Sequence, residues 1–200
     1  HMKILAVQNR MGIGDTVIFL PYIKALYKRF NSPISLLVKE SSKADQYLYE
    51  TNYIDKILLL ERDSKSNSRH DGFLGSFNLI KDIKKHNFEK IFIFNSSLRF
   101  NLIARLSKIP EIHQYPLFNK TKQHITNVPK KFLKDQLNLE VNEDPEIQIS
   151  EQMSVKSIEK YGINKNELNI LLGIGGSGPT KRVPSKTFLE VIKKILEKKK

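Results

Sequence analysis

The chain contains no cysteine. That excludes disulfides, thiolate-held zinc and cysteine nucleophiles, and it fits a reducing compartment. Long apolar runs are missing too: nothing approaches the ~20 residues needed to cross a bilayer. The opening HMKILAVQN has an apolar run too short for a signal peptide and reads as a first strand. There is no D-x-D pair for a metal-bound nucleotide and no H-E-x-x-H. His70, His86, His113 and His124 are scattered without ligand spacing and read as surface or structural residues. Internal repeats and low-complexity tracts are absent as well.

Acid is scarce relative to base. Among 200 residues, 34 are Lys or Arg and 21 are Asp or Glu, a formal net charge of +13. Such a surplus favours an anionic neighbour: nucleic acid, a phosphate-bearing small molecule or an anionic membrane. The lysines are dispersed, apart from the closing IKKILEKKK, so most read as solvated helix faces. Hydrophobic content of 40% and charged content of 28% are ordinary for a globular chain.

What is present is an alternation of strand and helix. Strand patterns fall at Lys3–Gln8, Ile34–Val38, Lys56–Leu60 and Lys90–Phe94, with a weaker one at Ile112–Tyr115. Helical spacing appears in Asp15–Phe30, with Val17, Leu20, Ile23, Leu26 and Tyr27 on one face and Pro21 bending the early turns. Further helices are expected at Ala44–Tyr49, Phe77–His86, Leu98–Ser107 and from Pro129. The polar, glycine-containing Ser64–Gly75 reads as a surface loop. This alternation predicts a doubly wound α/β domain, a parallel sheet covered on both faces, over 2–149. The acidic stretch Asn138–Ser150 reads as a connection. Residues 150–200 then give a helix ending at Gly162, a strand Asn169–Leu172, a glycine-rich loop and a helix from about Ser185. They read as the beginning of a second Rossmann-like domain, which implies a longer natural protein.

Ligands of open α/β sheets sit at the carboxyl ends of strands, and both glycine loops fall there. The first is Gly12-Ile13-Gly14-Asp15. It begins like a dinucleotide fingerprint, but Val17 stands where the third glycine belongs. Asp15 would repel a phosphate from the helix N-terminus. Either Asp15 caps the helix, or it stands at the sheet edge as a general base, with the glycines letting a substrate approach. Asn9 and Arg10 flank this turn as secondary contacts. The second loop runs from Gly173 to Pro184. Gly173, Gly175 and Gly178 satisfy G-x-G-x-x-G, yet Pro179 and Pro184 delay the helix, and Pro179 occupies the P-loop lysine position. Its N–H donors, the Ser177 hydroxyl, Lys181 and Arg182 suit a diphosphate; a surface turn with solvated charges is the plainer reading. Arg99 and Arg105 could reach an acceptor phosphate or pair on a helix surface.

In order along the chain, MKILAVQNRMGIGDTVIFLPYIKALYKRF, YETNYIDKILLL, Ser97-Leu98-Arg99 with LIARLSKIP, and GGSGPTKRVP resemble motifs of glycosyltransferase family 9, the heptosyltransferases of lipopolysaccharide core synthesis, which have the GT-B fold. The resemblance implies an inverting, metal-independent transfer of a heptose or related sugar. The donor would be a nucleotide diphosphate sugar, ADP-linked, and no cofactor would be needed. The acceptor would be a lipid-linked saccharide met at the cytoplasmic face of the membrane, with peripheral contact to anionic lipid. Asp15 matches the family's proposed base; Lys181 and Ser177 match the donor-phosphate positions, with Gly176 and Thr180 beside them. Gly12, Gly14, Asn9, Arg10 and Arg99 would line the acceptor side. The sequence departs from the family at Val183, where tryptophan is usual, at Asn95, where aspartate is common, and at Ile112–Tyr115, which lacks the arginine and glycine of "RIGY". The adenine and ribose contacts and a D-x-G-x-x-H stretch are not in this sequence, so these residues alone are expected to be inactive.

Two other readings stand beside this one. A GT-B-type sugar-nucleotide enzyme with different chemistry, such as an epimerase, would keep the architecture. A non-catalytic nucleic-acid binder would rest on the +13 charge alone, without an aromatic-rich basic strand or recognition helix, and nucleic acid is not the expected partner.

Overall fold

A computed structural model of the chain describes residues 1–10, 12–62, 68–117, 124–176 and 179–198. Two compact units divide it, His1–Ser150 and Glu151–Lys200.

In the first unit, β1 (Ile4–Gln8), β2 (Ile34–Lys39), β3 (Ile54–Leu60), β4 (Lys90–Ile93) and β5 (Glu111–Gln114) form one sheet in the order β3-β2-β1-β4-β5. All pairs are parallel, with Ile4 opposite both Ile34 and Lys90. The helices are α1 (Ile13–Phe30), the short α2 (Ala44–Tyr47), α3 (Gly72–Lys84), α4 (Leu98–Leu106) and α5 (Asn127–Leu137). The expected doubly wound α/β fold is therefore present.

The apolar runs of the central strands follow from burial on both faces. Successive side chains alternate sides. Ile4, Ala6, Leu36, Val38, Phe92 and Phe94 join one core with α1, α5 and Leu48; Leu5, Val7, Leu37, Ile91 and Ile93 join the other with α3 and α4. Each fully buried Leu, Ile or Phe contributes roughly 1.5–3 kcal/mol. Phe92 and Phe94 are core residues, as the sequence suggests.

Several boundaries differ from the sequence reading. α1 begins at Ile13 and runs on through Pro21, which is buried. α3 begins at Gly72, inside the stretch expected to be loop. Stretch 138–150 connects the units while lying on the first one. Val141 is buried in the core, Gln148 accepts the Asn52 N–H at 2.8 Å, and Glu143 takes ion pairs from Lys24 at 3.1 Å and from Lys28.

The second unit holds α6 (Glu151–Tyr161), closed by Gly162 at φ 60°, and α7 (Ser185–Lys198). The strand expected at Asn169–Leu172 does not form, and Leu171 is 98% exposed. A β-strand needs a neighbour for its N–H and C=O groups, and the described residues of this unit supply none. Among the described residues, no helix is long and apolar enough to cross a membrane.

Candidate active site at the sheet switch point

The sheet order reverses at β1, so the carboxyl ends of β1 and β4 flank the crevice where doubly wound domains take ligands. The β1 end leads into Asn9, Arg10 and the glycine turn; the β4 end leads into Asn95 and Ser97. Asn95 Nδ2 donates to Asn9 Oδ1 at 3.2 Å, joining the two edges. Asn95 Oδ1 accepts the Ser97 N–H at 2.9 Å, just ahead of α4. Gln114, at the end of β5, donates through Nε2 to the carbonyls of Asn95 (3.1 Å) and Ser97 (2.9 Å). Side-chain amides thus tie three strand ends together.

Gly12 precedes α1 with φ 99° and ψ 160°, a backbone region essentially reserved for glycine. It is the cap residue and has no side chain with which to cap the helix. Asp15 is consequently not the cap. It stands at the third helical position, its Oδ2 3.9 Å from where a Gly12 Cβ would lie. Its carboxylate favours the helix dipole and is 31% exposed. Arg10 Nε lies 3.6 Å from Asp15 Oδ1, and its side chain is half exposed. Beside Gly14 a Cβ would meet nothing within 4 Å, so that flank of the turn is open.

The turn is held by a residue that sequence reasoning passed over. Gln8 is buried. Its Nε2 donates to the Asp15 carbonyl at 3.3 Å, and its Oε1 accepts the Arg10 N–H. One amide therefore spans the turn from both ends. The signal was present as the only polar side chain in the run ILAVQ. Tyr115 borders the same edge. Burial pushes its phenol well above the ordinary range, with smaller effects from Tyr22 and Arg10, and its ring packs edge-on against Phe132 at 4.9 Å.

Of the acceptor-side candidates, Asn9, Arg10, Gly12 and Gly14 come together at this edge, beside the candidate base Asp15. Arg99 does not join them through its contacts. Its Nε donates to Ser76 Oγ at 2.9 Å and its Nη2 to the His70 carbonyl at 2.5 Å, toward α3. Arg105 Nε donates to Asn101 Oδ1 at 2.8 Å on its own helix.

In the second unit, Thr180 and Lys181 belong to the single turn Pro179–Lys181 and are exposed. Gly176 lies against that turn: a Cβ there would come within 2.7 Å of the Lys181 carbonyl oxygen. Arg182 Nε donates to the Gly176 carbonyl at 3.3 Å. The loop therefore folds back on itself, with Lys181 directed to solvent. Ser177 lies outside the described residues.

The doubly wound first unit, with helices following it in the second, has counterparts of the same fold among solved structures. Among solved structures, that of a glycosyl transferase family 9 protein from Veillonella parvula matches 95% of this chain with a TM-score of 0.72 at 20% identity. The E. coli ADP-heptose lipopolysaccharide heptosyltransferase II matches 98% at 0.68 and 15% identity. An E. coli heptosyltransferase solved with ADP-2-deoxy-2-fluoro heptose matches 96% at 0.58 and 11% identity. The chain spans 58%, 62% and 64% of these three structures. No protein-family profile and no curated protein matches the sequence.

Proposed function

We propose that the protein is an inverting glycosyltransferase that moves a heptose or related sugar from an ADP-linked donor to a lipopolysaccharide-core-type acceptor. The observation that carries this reading is the Asp15 carboxylate: part-exposed beside an open glycine flank, at the switch point of a fold shared with glycosyltransferase family 9. In this reading Asp15 takes the proton of an acceptor hydroxyl as the oxygen attacks the anomeric carbon. The bond from that carbon to the donor phosphate oxygen breaks, and the diphosphate leaves with its electron pair. Lys181, Thr180, the Gly176 backbone and Ser177 would receive the leaving diphosphate. A single displacement inverts the centre and requires neither metal nor cofactor. Arg10 would pass from Asp15 to an anionic group of the acceptor, with Asn9 and Asn95 offering neutral amides to its hydroxyls. A lipid-linked acceptor puts the work at the cytoplasmic face of the membrane.

The decisive variant is Asp15→Asn in the whole protein. Loss of a general base should lower kcat by about 100- to 10,000-fold while ADP affinity, read by calorimetry, is unchanged. Undiminished turnover removes Asp15 from the mechanism. Lys181→Ala should instead weaken ADP binding.

A further inference from the structure

A groove of about 350 Å³ runs between α3 and α4, lined by Phe73, Phe77, Ile80, Leu102 and Leu106 with Arg99 in its wall. Both helices leave large apolar side chains in water. Phe73 and Leu74, in the first turn of α3, are 79% and 77% exposed, and Phe77, Leu98, Leu102 and Leu106 are exposed as well. Phe73 and Phe77 pack edge to face, with centroids 5.1 Å apart, which holds the α3 side open as a ridge. A contiguous apolar face of this kind marks an interaction surface.

Charge decides what it meets. Across α3 and α4 the cations are Lys81, Lys84, Arg99 and Arg105, and the carboxylates are Asp82 and, at the N-cap of α3, Asp71, the latter paired with Arg62 at 3.5 Å. Asp82 is already committed to Arg69 (2.8 Å) and His70 (3.0 Å). Two copies of such a face would bring like charges together, so self-association is disfavoured. At the groove wall, Arg99 Nη1 is buried and has no hydrogen-bond partner among the described residues. A buried guanidinium N–H without an acceptor suits a phosphate oxygen. Apolar rings beside lysines and arginines, on helices lying flat against a sheet, are what interfacial membrane binding requires.

We propose that the α3–α4 face docks on an anionic lipid bilayer, with an acyl chain entering the groove and a lipid phosphate reaching Arg99. In a parallel α/β sheet each helix starts at the carboxyl edge of the preceding strand. The first turns of α3 and α4 therefore lie at the same edge as Asp15. The surface deepens the transferase reading, since a lipid-linked acceptor would then be met where the base stands. Vesicle binding is measured without transfer, so either can fail alone.

The test is cosedimentation of the full chain with vesicles of phosphatidylcholine alone and of phosphatidylcholine mixed with phosphatidylglycerol, across a salt series. The protein should sediment only with the mixed vesicles, and less so as salt rises. The double variants Phe73→Ser/Leu74→Ser on α3 and Leu102→Ser/Leu106→Ser on α4 should each weaken binding at least about tenfold with unchanged circular dichroism. Three vesicle results would overturn the proposal. They are no sedimentation of the native chain, equal binding to neutral vesicles, and variants that bind as well as the native chain. Light scattering showing a dimer that the same variants dissociate would assign the face to a second copy instead.

Discussion

Gly12 and Gly14 look equivalent in the sequence and do different things in the fold. Gly12 has a backbone that an L-residue adopts only under strain, while Gly14 sits inside the helix with open space where a Cβ would go. Gly12→Ala should cost about 1–3 kcal/mol from the backbone alone and displace Asp15. Gly14→Ala should be neutral or slightly stabilising, since Ala is the better helix former by about 1 kcal/mol. Urea unfolding of both variants checks this, and equal losses would mean that the turn tolerates both geometries. If the open flank admits the acceptor, Gly14→Ala should also raise the acceptor KM at unchanged stability. The sequence made Asp15 visible because a carboxylate at a phosphate-type turn is anomalous. It did not show what Gln8 or Asn95 does, because an amide advertises neither charge nor periodicity; the Asn95 bridge appears only when β1 and β4 lie side by side. Arg99 shows the converse: an arginine near a sheet edge suggests a ligand contact, and only the fold reveals that two of its donors are committed to His70 and Ser76.

At the scale of elements, α3 shows how tertiary contacts overrule local signals. Gly72 and Gly75 made its first turn read as loop, and only the apolar residues beyond them kept helical spacing. Gly75 is small because the His70 backbone crosses there: a Cβ would fall 2.2 Å from the His70 carbonyl carbon. His70 is buried, its Nδ1 accepting the Glu61 N–H at 3.0 Å and its Nε2 facing Asp82 at 3.0 Å. Asp82 holds this corner. Its carboxyl is pulled well below the usual range, first by the Arg69 hydrogen bonds, against partial burial, and then by His70. A carboxylate with a depressed folded pKa stabilises the fold above its unfolded value, about 3.9, and that contribution disappears as pH falls through the folded value. Native stability should therefore decline as pH drops from about 5. Asp82→Asn should be less stable near neutrality by about 1–3 kcal/mol and show a flatter acid slope. Denaturant midpoints measured across that range decide it; parallel slopes for the two proteins would assign the acid sensitivity elsewhere. The strand expected at Asn169–Leu172 failed for a related reason. An apolar run specifies burial, and a parallel partner has to exist before burial becomes a strand.

For the whole molecule, the alternation of elements announced the sheet correctly because β1, β2 and β4 are buried on both faces and leave long apolar runs. The two units differ sharply in what holds them. The first has two cores on opposite faces of one sheet, whereas α6 and α7 bury no residue. Helices of 11 and 14 residues without a buried face are marginal in water. Local opening free energies should therefore separate along the chain. Amide exchange of this 200-residue chain should be slowest in Ile4–Val7, Leu36–Val38 and Ile91–Ile93, which share the global unfolding free energy. It should be faster by orders of magnitude throughout α6 and α7. Stretch 138–150 should fall between, protected while Glu143 keeps Lys24 and Lys28. The carboxyl of Glu143 is lowered mainly by the Lys28 hydrogen bond and then by Lys24. The stretch should hence loosen as the medium is acidified through the folded pKa of Glu143, with the sheet still protected. Exchange in α6 and α7 as slow as in β1 would show that the second unit draws its stability from burial other than its own.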